Sequence, residues 1–395
     1  MTGNTVEVKK RHGVWNKIVS PFITHFILKK KFNYTCEKCD IKPPYIVLGN
    51  HTTDYDAFFI AKSFNNPLYF VMSDHISSLA VGKLIEHLVC PIPITKSTSD
   101  ASTVRGIFSV IRQGASVALF PEGNKSFAGD MSLMKPTIGK LLKKLRVPVV
   151  IYNIEGGYFS SPRWTKNKRK GKVHGYVKKI VSVEEIDKLS PEELFEIVKT
   201  NLRINAYEVQ ERQKIAYKGN NLAENIETLL YICPKCKGIS TLHGEGNKIY
   251  CKNCSFTATY NEYGYIEGHT LNRLDYMDNW QKQELKNMDY SKFDKNTVIT
   301  SDEGFDIKLK IDNYKNKSLG KFRLDLYVDG FELVNKKQTI NIPFKMIQGY
   351  AIEGVNGIQL SLKDGKVYRF KNKNSVSGLK YVNFYCAITG AEMKF

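Results

Sequence analysis

The chain has 395 residues, 42% of them hydrophobic, and a formal net charge of +20. That length exceeds one typical domain, so two or three domains with ample core are expected, and the apolar share is ordinary for a folded globular protein. The excess of lysine and arginine calls for an anionic partner, either nucleic acid or the anionic surface of a membrane. No stretch approaches the ~18 uninterrupted apolar residues of a membrane span.

Residues 1–12 are polar and read as a frayed start. Trp15, Ile18, Val19, Phe22, Ile23, Phe26 and Ile27 then recur at helical spacing, flanked by Lys17 and Lys29-Lys30-Lys31. Ser20-Pro21 restarts the helix, because serine caps and proline suits the first turn. An apolar face with a basic flank predicts a helix lying in a membrane interface; an ordinary packed helix is the alternative. No secretion signal is read here. The three Cys-x-x-Cys pairs read as metal or thiol sites of a reducing compartment. A protein on the cytoplasmic face of a membrane, peripheral or monotopic, with no transmembrane span, is expected. Cys36-Glu37-Lys38-Cys39 has no second pair nearby and reads as a loop with incidental cysteines, while Cys90 and Cys386 read as small core hydrophobes.

Tyr45-Ile46-Val47-Leu48 predicts a buried strand, and a helix is predicted from Asp56. Between them lies Asn50-His51-Thr52-Thr53-Asp54-Tyr55-Asp56. An acid five positions after a histidine can accept the proton on one ring nitrogen, fixing the tautomer and freeing the other nitrogen as a base. A satisfied structural pair is the commoner outcome of such spacing. Leu68 to Met72 reads as a strand, Ser78 to Leu88 as a helix, Ile92 to Lys96 as a strand and Ser102 to Arg112 as a helix ended by Gly114. Ser116 to Phe120 is another buried strand, broken at Pro121-Glu122-Gly123, and Val147 to Tyr152 is the next. Strands alternating with helices through residue 155 predict a three-layer α/β domain.

These blocks resemble the glycerolipid acyltransferases, the family that contains lysophosphatidic acid acyltransferase. His51 to Asp56 is similar to the family's histidine-four-residues-aspartate motif, Phe120-Pro121-Glu122-Gly123 to its Phe-Pro-Glu-Gly block, and Val147-Pro148-Val149 to its Val-Pro-Val block. The resemblance covers roughly residues 10–215. It implies transfer of a fatty acyl group from acyl-CoA or acyl-carrier protein to the hydroxyl of a lysophospholipid, with 1-acylglycerol-3-phosphate as acceptor, in phospholipid biosynthesis or remodelling. His51 would be the general base and Asp56 would orient it and stabilise the imidazolium. Lys96 and Lys125 stand at the family's phosphate-contact positions, with Glu122, Gly123 and Asn124 shaping the acceptor site. Both lysines replace the usual arginine, exchanging a bidentate fork for a point charge. A non-catalytic membrane adaptor and a thioesterase using the same base on water are the alternatives. A nucleic-acid partner is not expected, because Trp164 alone interleaves the basic run Lys166 to Lys172.

That run, with Arg163, is a solvated loop or a contact for an anionic headgroup or carrier protein. Ser190-Pro191-Glu192-Glu193 is a capping box opening a helix to about Gln213. Cys233-Pro234-Lys235-Cys236, fourteen residues, then Cys251-Lys252-Asn253-Cys254 supplies four thiolates on two hairpins, the pattern of a closed structural Zn2+ site in a zinc ribbon. Leu271 to Lys286 is a polar helix. Seven short strands follow between Asp306 and Phe370, with hairpins at Asp329-Gly330 and Asp364-Gly365, then a helix carrying Val376, Leu379 and Val382. This order resembles a pleckstrin-homology-like barrel. The expected layout is an interfacial segment (1–33), a mixed-sheet three-layer acyltransferase domain (34–215), a zinc ribbon with its leading helix (216–270), a helical linker (271–300) and a β-barrel with one C-terminal helix (301–395).

Overall fold

The computed structural model describes residue 8 and residues 28–73, 91–94, 101–311 and 316–392. The amphipathic segment Trp15 to Ile27, the helix expected over Ser78 to Leu88, Cys90 and Lys96 lie outside them. The chain forms two compact units. The first runs to Pro162 and includes Lys168–Gly219; the second comprises Arg163–Asn167 and Asn220–Lys394.

The first unit is an α/β layer structure on one mixed sheet. Its strands are β1 (Tyr34–Cys36), β2 (Ile46–Gly49), β3 (Leu68–Ser73), β4 (Ile92–Ile94), β5 (Ser116–Leu119), β6 (Val149–Glu155) and β7 (Val173–Val181). They lie in the order β1-β7-β6-β2-β5-β3-β4. All neighbouring pairs are parallel except β6 with β7. Its longer helices among the described residues are α1 (Asp56–Ser63), α2 (Ala101–Arg112), α3 (Thr137–Leu145), α4 (Val183–Lys188), α5 (Pro191–Leu202) and α6 (Ala206–Gln213).

Side chains alternate along a strand, and here both faces are covered, which is why β2 reads as an unbroken apolar run. Ile46, Leu48, Val117, Leu119, Val149 and Ile151 pack with Ile107 and Val110 of α2, Leu142 of α3 and Leu194 and Val198 of α5. Val47, Ala118, Val150 and Tyr152 face the other way, onto Phe59 and Ile60 of α1 with Leu28 and Phe32. The expected capping box opens α5: Ser190 Oγ accepts from the Glu193 N–H at 3.1 Å and the Glu193 carboxylate accepts from the Ser190 N–H at 2.7 Å. The helix does not run on to Gln213. Arg203 leaves helical geometry, and Asn205 caps a separate α6 by accepting from the Tyr207 and Glu208 N–H groups at 2.8 and 3.2 Å.

The second unit begins with a four-stranded sheet, β8 (Leu242–Glu245), β9 (Lys248–Cys251), β10 (Thr257–Tyr260) and β11 (Ile266–Glu267), ordered β11-β10-β9-β8. Helix α7 (Leu274–Asn287) follows. Seven antiparallel strands come next: β12 (Thr300–Lys310), β13 (Asn316–Leu326), β14 (Gly330–Val334), β15 (Thr339–Pro343), β16 (Ile347–Glu353), β17 (Gly357–Leu362) and β18 (Val367–Asn372). They form one sheet, ordered β15-β14-β13-β12-β18-β17-β16, and α8 (Gly378–Thr389) packs on β16 and β17. Leu379, Val382 and Phe384 of α8 are buried with Phe305, Leu324 and Phe331. Trp164 is buried in this unit, its ring edge-on to Tyr260 with centroids 5.7 Å apart. No described helix is long and apolar enough to cross a membrane.

Candidate functional site

In parallel sheets, ligand sites form beyond the carboxyl ends of the strands. The ends of β2, β5 and β6 converge here on a cleft lined by His51, Thr52, Glu122, Ser126, Ile154 and Gly156 among others. His51 leaves β2 two residues after Gly49, and Asp56 is the first residue of α1. His51 Nδ1 is 2.8 Å from Asp56 Oδ2. The carboxylate is fully buried and also accepts from the Thr52 and Thr53 N–H groups at 2.6 and 2.9 Å and from their hydroxyls at 3.2 and 2.9 Å. A buried carboxylate with this many donors is held in place. An imidazole that carries its proton on Nδ1, shared with Asp56, can act as a base through Nε2. The imidazole stacks on Phe120, centroids 4.3 Å apart and planes 16° from parallel.

Glu122 fastens this loop. Its two carboxyl oxygens accept from the His51 N–H at 2.8 Å and from the Ser132 N–H at 2.9 Å. Burial pushes its carboxyl up to about 8; the two N–H bonds oppose the shift, and Asp56 and Asp130 add to it. Gly123 adopts φ +70°, a left-handed conformation that glycine meets without a Cβ penalty, and it closes the turn with an N–H bond to Phe120 O at 3.1 Å. Asn124 lies in the same turn. Lys125 reaches back to Asp54, 2.6 Å from its carboxylate. The structure therefore brings His51, Asp56, Glu122, Gly123, Asn124 and Lys125 together beyond the carboxyl ends of β2 and β5; Lys96 lies outside the described residues.

Asn50 was not among the residues singled out from sequence. It is buried, accepts the Ile154 N–H at 2.7 Å and donates to Ile154 O at 3.0 Å, bolting the exit of β2 to β6. Thr52 and Thr53, which supply four of the five bonds to Asp56, were also passed over, although two threonines inside the motif are a readable hint of donors. Gly157 matters by absence of bulk: a Cβ there would stand 2.4 Å from Thr52 Oγ1.

The second cluster is Cys233, Cys236, Cys251 and Cys254, whose sulfurs all lie within 4.8 Å of one another. The Cys233–Cys254 and Cys236–Cys251 sulfur pairs are each 3.7 Å apart. A tetrahedral ion with bonds of ~2.3 Å needs sulfur–sulfur edges of about 3.8 Å. The four thiols thus fit one metal ion with no open coordination position. Cys251 Sγ also accepts the Asn253 N–H at 3.4 Å, a knuckle contact that favours thiolate.

Residues 30–155 match the family model described as Acyltransferase. The chain is 29% identical over 143 residues to a Mycoplasma genitalium protein described as "Probable 1-acyl-sn-glycerol-3-phosphate acyltransferase", covering 35% of this chain and 52% of that one. It therefore spans about half the length of that curated relative. Among solved structures, the 1-acyl-sn-glycerophosphate acyltransferase PlsC of Thermotoga maritima aligns at 19% identity and a TM-score of 0.38, over 46% of this chain and 72% of that one. Inner Membrane Complex Sub-compartment Protein 3 of Toxoplasma gondii aligns at 11% identity and a TM-score of 0.19, over 28% and 84%. The His51 cleft at the ends of β2 and β5 lies inside the span that matches this family model.

Proposed function

We propose that the protein transfers a fatty acyl group from an acyl thioester to the hydroxyl of a lysophospholipid, with 1-acylglycerol-3-phosphate as the favoured acceptor. The observation that carries this reading is the His51–Asp56 pair opening onto a cleft beside Glu122. His51 Nε2 takes the proton of the acceptor hydroxyl as its oxygen attacks the thioester carbonyl. Asp56 stabilises the imidazolium. Collapse of the tetrahedral intermediate breaks the carbon–sulfur bond, and the imidazolium returns the proton to the departing thiolate. Glu122 holds the histidine loop, and Gly123, Asn124, Lys125 and Lys96 belong to the acceptor site. Acyl-CoA or acyl-carrier protein supplies the acyl group. An assay of both donors against a panel of lysophospholipids, with and without acceptor, tests the reading; thioester hydrolysis at an equal rate whether or not an acceptor is present would replace it with a thioesterase.

The four-cysteine cluster holds structural Zn2+ in this proposal, and its closed shell assigns it no catalytic step. The protein works at the cytoplasmic face of a membrane, attracted by its positive charge and the apolar segment Trp15 to Ile27. Vesicle co-sedimentation indifferent to both anionic lipid and salt would remove this part of the reading. The segments 1–33, 34–215, 216–270, 271–300 and 301–395 remain the proposed functional layout.

A further inference from the structure

Three ammonium groups from distant parts of the chain gather at the turn that carries the base. Lys31, in the short helix Lys30–Phe32, donates to the Tyr55 hydroxyl at 2.7 Å and lies 4.4 Å from the centre of that ring. Lys168 lies 5.8 Å from the same ring centre and donates to Ser161 Oγ at 2.5 Å. Lys125 is bonded to Asp54, whose side chain is 74% exposed. Desolvation holds the Lys168 ammonium below the usual lysine range; Asp54 opposes this, and Lys125 and Lys31 push it further down. The Asp54 carboxyl is pushed up by desolvation, but Lys125 first, then His51 and Lys168, outweigh that and hold it low. Lys125 and Lys168 thus act on one exposed carboxylate and Lys31 stands beside Lys168, while Asp56 and Glu122 are taken up by main-chain N–H groups. Like charges gathered in one place cost stability, and such gatherings mark ligand sites.

We propose that Lys31 and Lys168, both outside the motif blocks, join Lys125 in a subsite for a phosphate monoester, and that Asp54 holds the anion's place until the ester displaces it. The chemistry matches: a monoester carries about −2 near neutral pH and three acceptor oxygens, against three separate ammonium groups that each offer three donors. Asp54 lies three residues from His51 in the same turn, so an ester seated there keeps the rest of its chain beside the base. The subsite also explains how lysines serve where one arginine fork is missing. Three point charges from three segments make up in number what each lacks in geometry.

This inference rests on the acyl-transfer reading, and the test separates the two. Binding of sn-glycerol 3-phosphate to the full-length protein is measured by calorimetry, and steady-state kinetics are run with lysophosphatidic acid and with phosphate-free monoacylglycerol. Lys31→Met and Lys168→Met should each weaken sn-glycerol 3-phosphate by about 10-fold or more, as expected for loss of one charged hydrogen bond. The KM for lysophosphatidic acid should rise in step, with kcat and the KM for monoacylglycerol little changed. Lys168→Arg should restore most of the affinity, and Asp54→Asn should tighten binding above the original protein. Unchanged affinity in both methionine variants, with melting curves like the parent, overturns the subsite. Transfer to lysophosphatidic acid with KM indifferent to both lysines also overturns it and leaves the acyl-transfer reading standing. Lysine-dependent ester binding without transfer to any acceptor does the reverse. Inorganic phosphate bound as tightly as either ester would overturn the assignment to a monoester.

Discussion

The His51 centre and the four-cysteine cage are both compact polar clusters, but they are assembled in opposite ways. The cage draws its ligands from one stretch of chain, Cys233 to Cys254, and two local hairpins suffice to bring the sulfurs within 4.8 Å. The His51 centre draws on Asn50, Asp56, Glu122, Ser132 and Ile154, which meet only once β2, β5 and β6 lie side by side. In the zinc reading proposed above, the cage is stabilised by an ion that must be supplied. The His51 centre is stabilised by main-chain N–H groups already in the fold, with every oxygen of Asp56 and Glu122 engaged. One cluster therefore answers to metal supply, the other to the integrity of the sheet.

Removing the metal should produce the largest effect. Zinc-peptide sites carry about 10–16 kcal/mol of apparent folding energy, so Cys233→Ser with Cys251→Ser should open residues 230–260 to protease. Metal analysis should find zinc in the parent and none in the variant. Protein purified without chelator that contains no zinc contradicts the cage. Next in size is the base. His51→Ala should lower turnover by on the order of 10²–10⁴ with folding retained, and Asp56→Asn should also lose activity, because it removes the charge that stabilises the imidazolium. Full transferase activity in His51→Ala would falsify the mechanism.

Trp164→Ala sharpens the contrast from the other side. The indole is buried beside Tyr260, and its main-chain oxygen accepts from the Thr228 hydroxyl at 3.3 Å. Its loss should cost the second unit about 3–5 kcal/mol, read as a lower denaturant midpoint for that unit's transition; an unmoved midpoint argues against this packing. The smallest effect concerns Glu122. Its carboxyl is held up at about 8 in the folded chain against an ordinary 4.5. Between those values the unfolded chain has released the proton that the folded one keeps, so stability should fall as pH rises from 4.5 toward 8. Glu122→Gln should flatten that slope. It should also cost about 1–3 kcal/mol, because an amide NH2 would then face one of two main-chain N–H groups. A pH slope unchanged by the substitution would assign it to another group.

Two hairpins among β12–β18 are legible because their turns carry their own chemistry: Gly330 O accepts the Tyr327 N–H at 2.9 Å, and Gly365 takes φ +85°. The break between α5 and α6 was missed, since Arg203 and Ile204 carry no breaker and the cap at Asn205 competes with a periodic pattern on both sides. By sequence the basic run after Pro162 is a solvated loop or a contact for an anionic headgroup or carrier protein. In the structure Arg169 is 3% exposed and Trp164 1%, whereas Lys168 is exposed and stands over Tyr55. Charge along the chain does not say which side chains turn inward, because that depends on what the fold places opposite them.

The sequence by itself determined whatever depends on neighbours along the chain. This covers the strands β2 to β6 with α1 and α2 among them, the caps and hairpins, the four-cysteine spacing and the His51–Asp56 interval. Tertiary structure alone decided that Glu122 would clamp the His51 loop, that Asn50 would bolt β2 to β6, that Trp164 would be buried in the second unit and that Lys31 and Lys168 would meet over Tyr55. The physical reason is range. A turn or a chelating pair is settled by backbone geometry over a few residues, while these partners lie at least 24 positions apart and meet only where packed strands and helices bring them together.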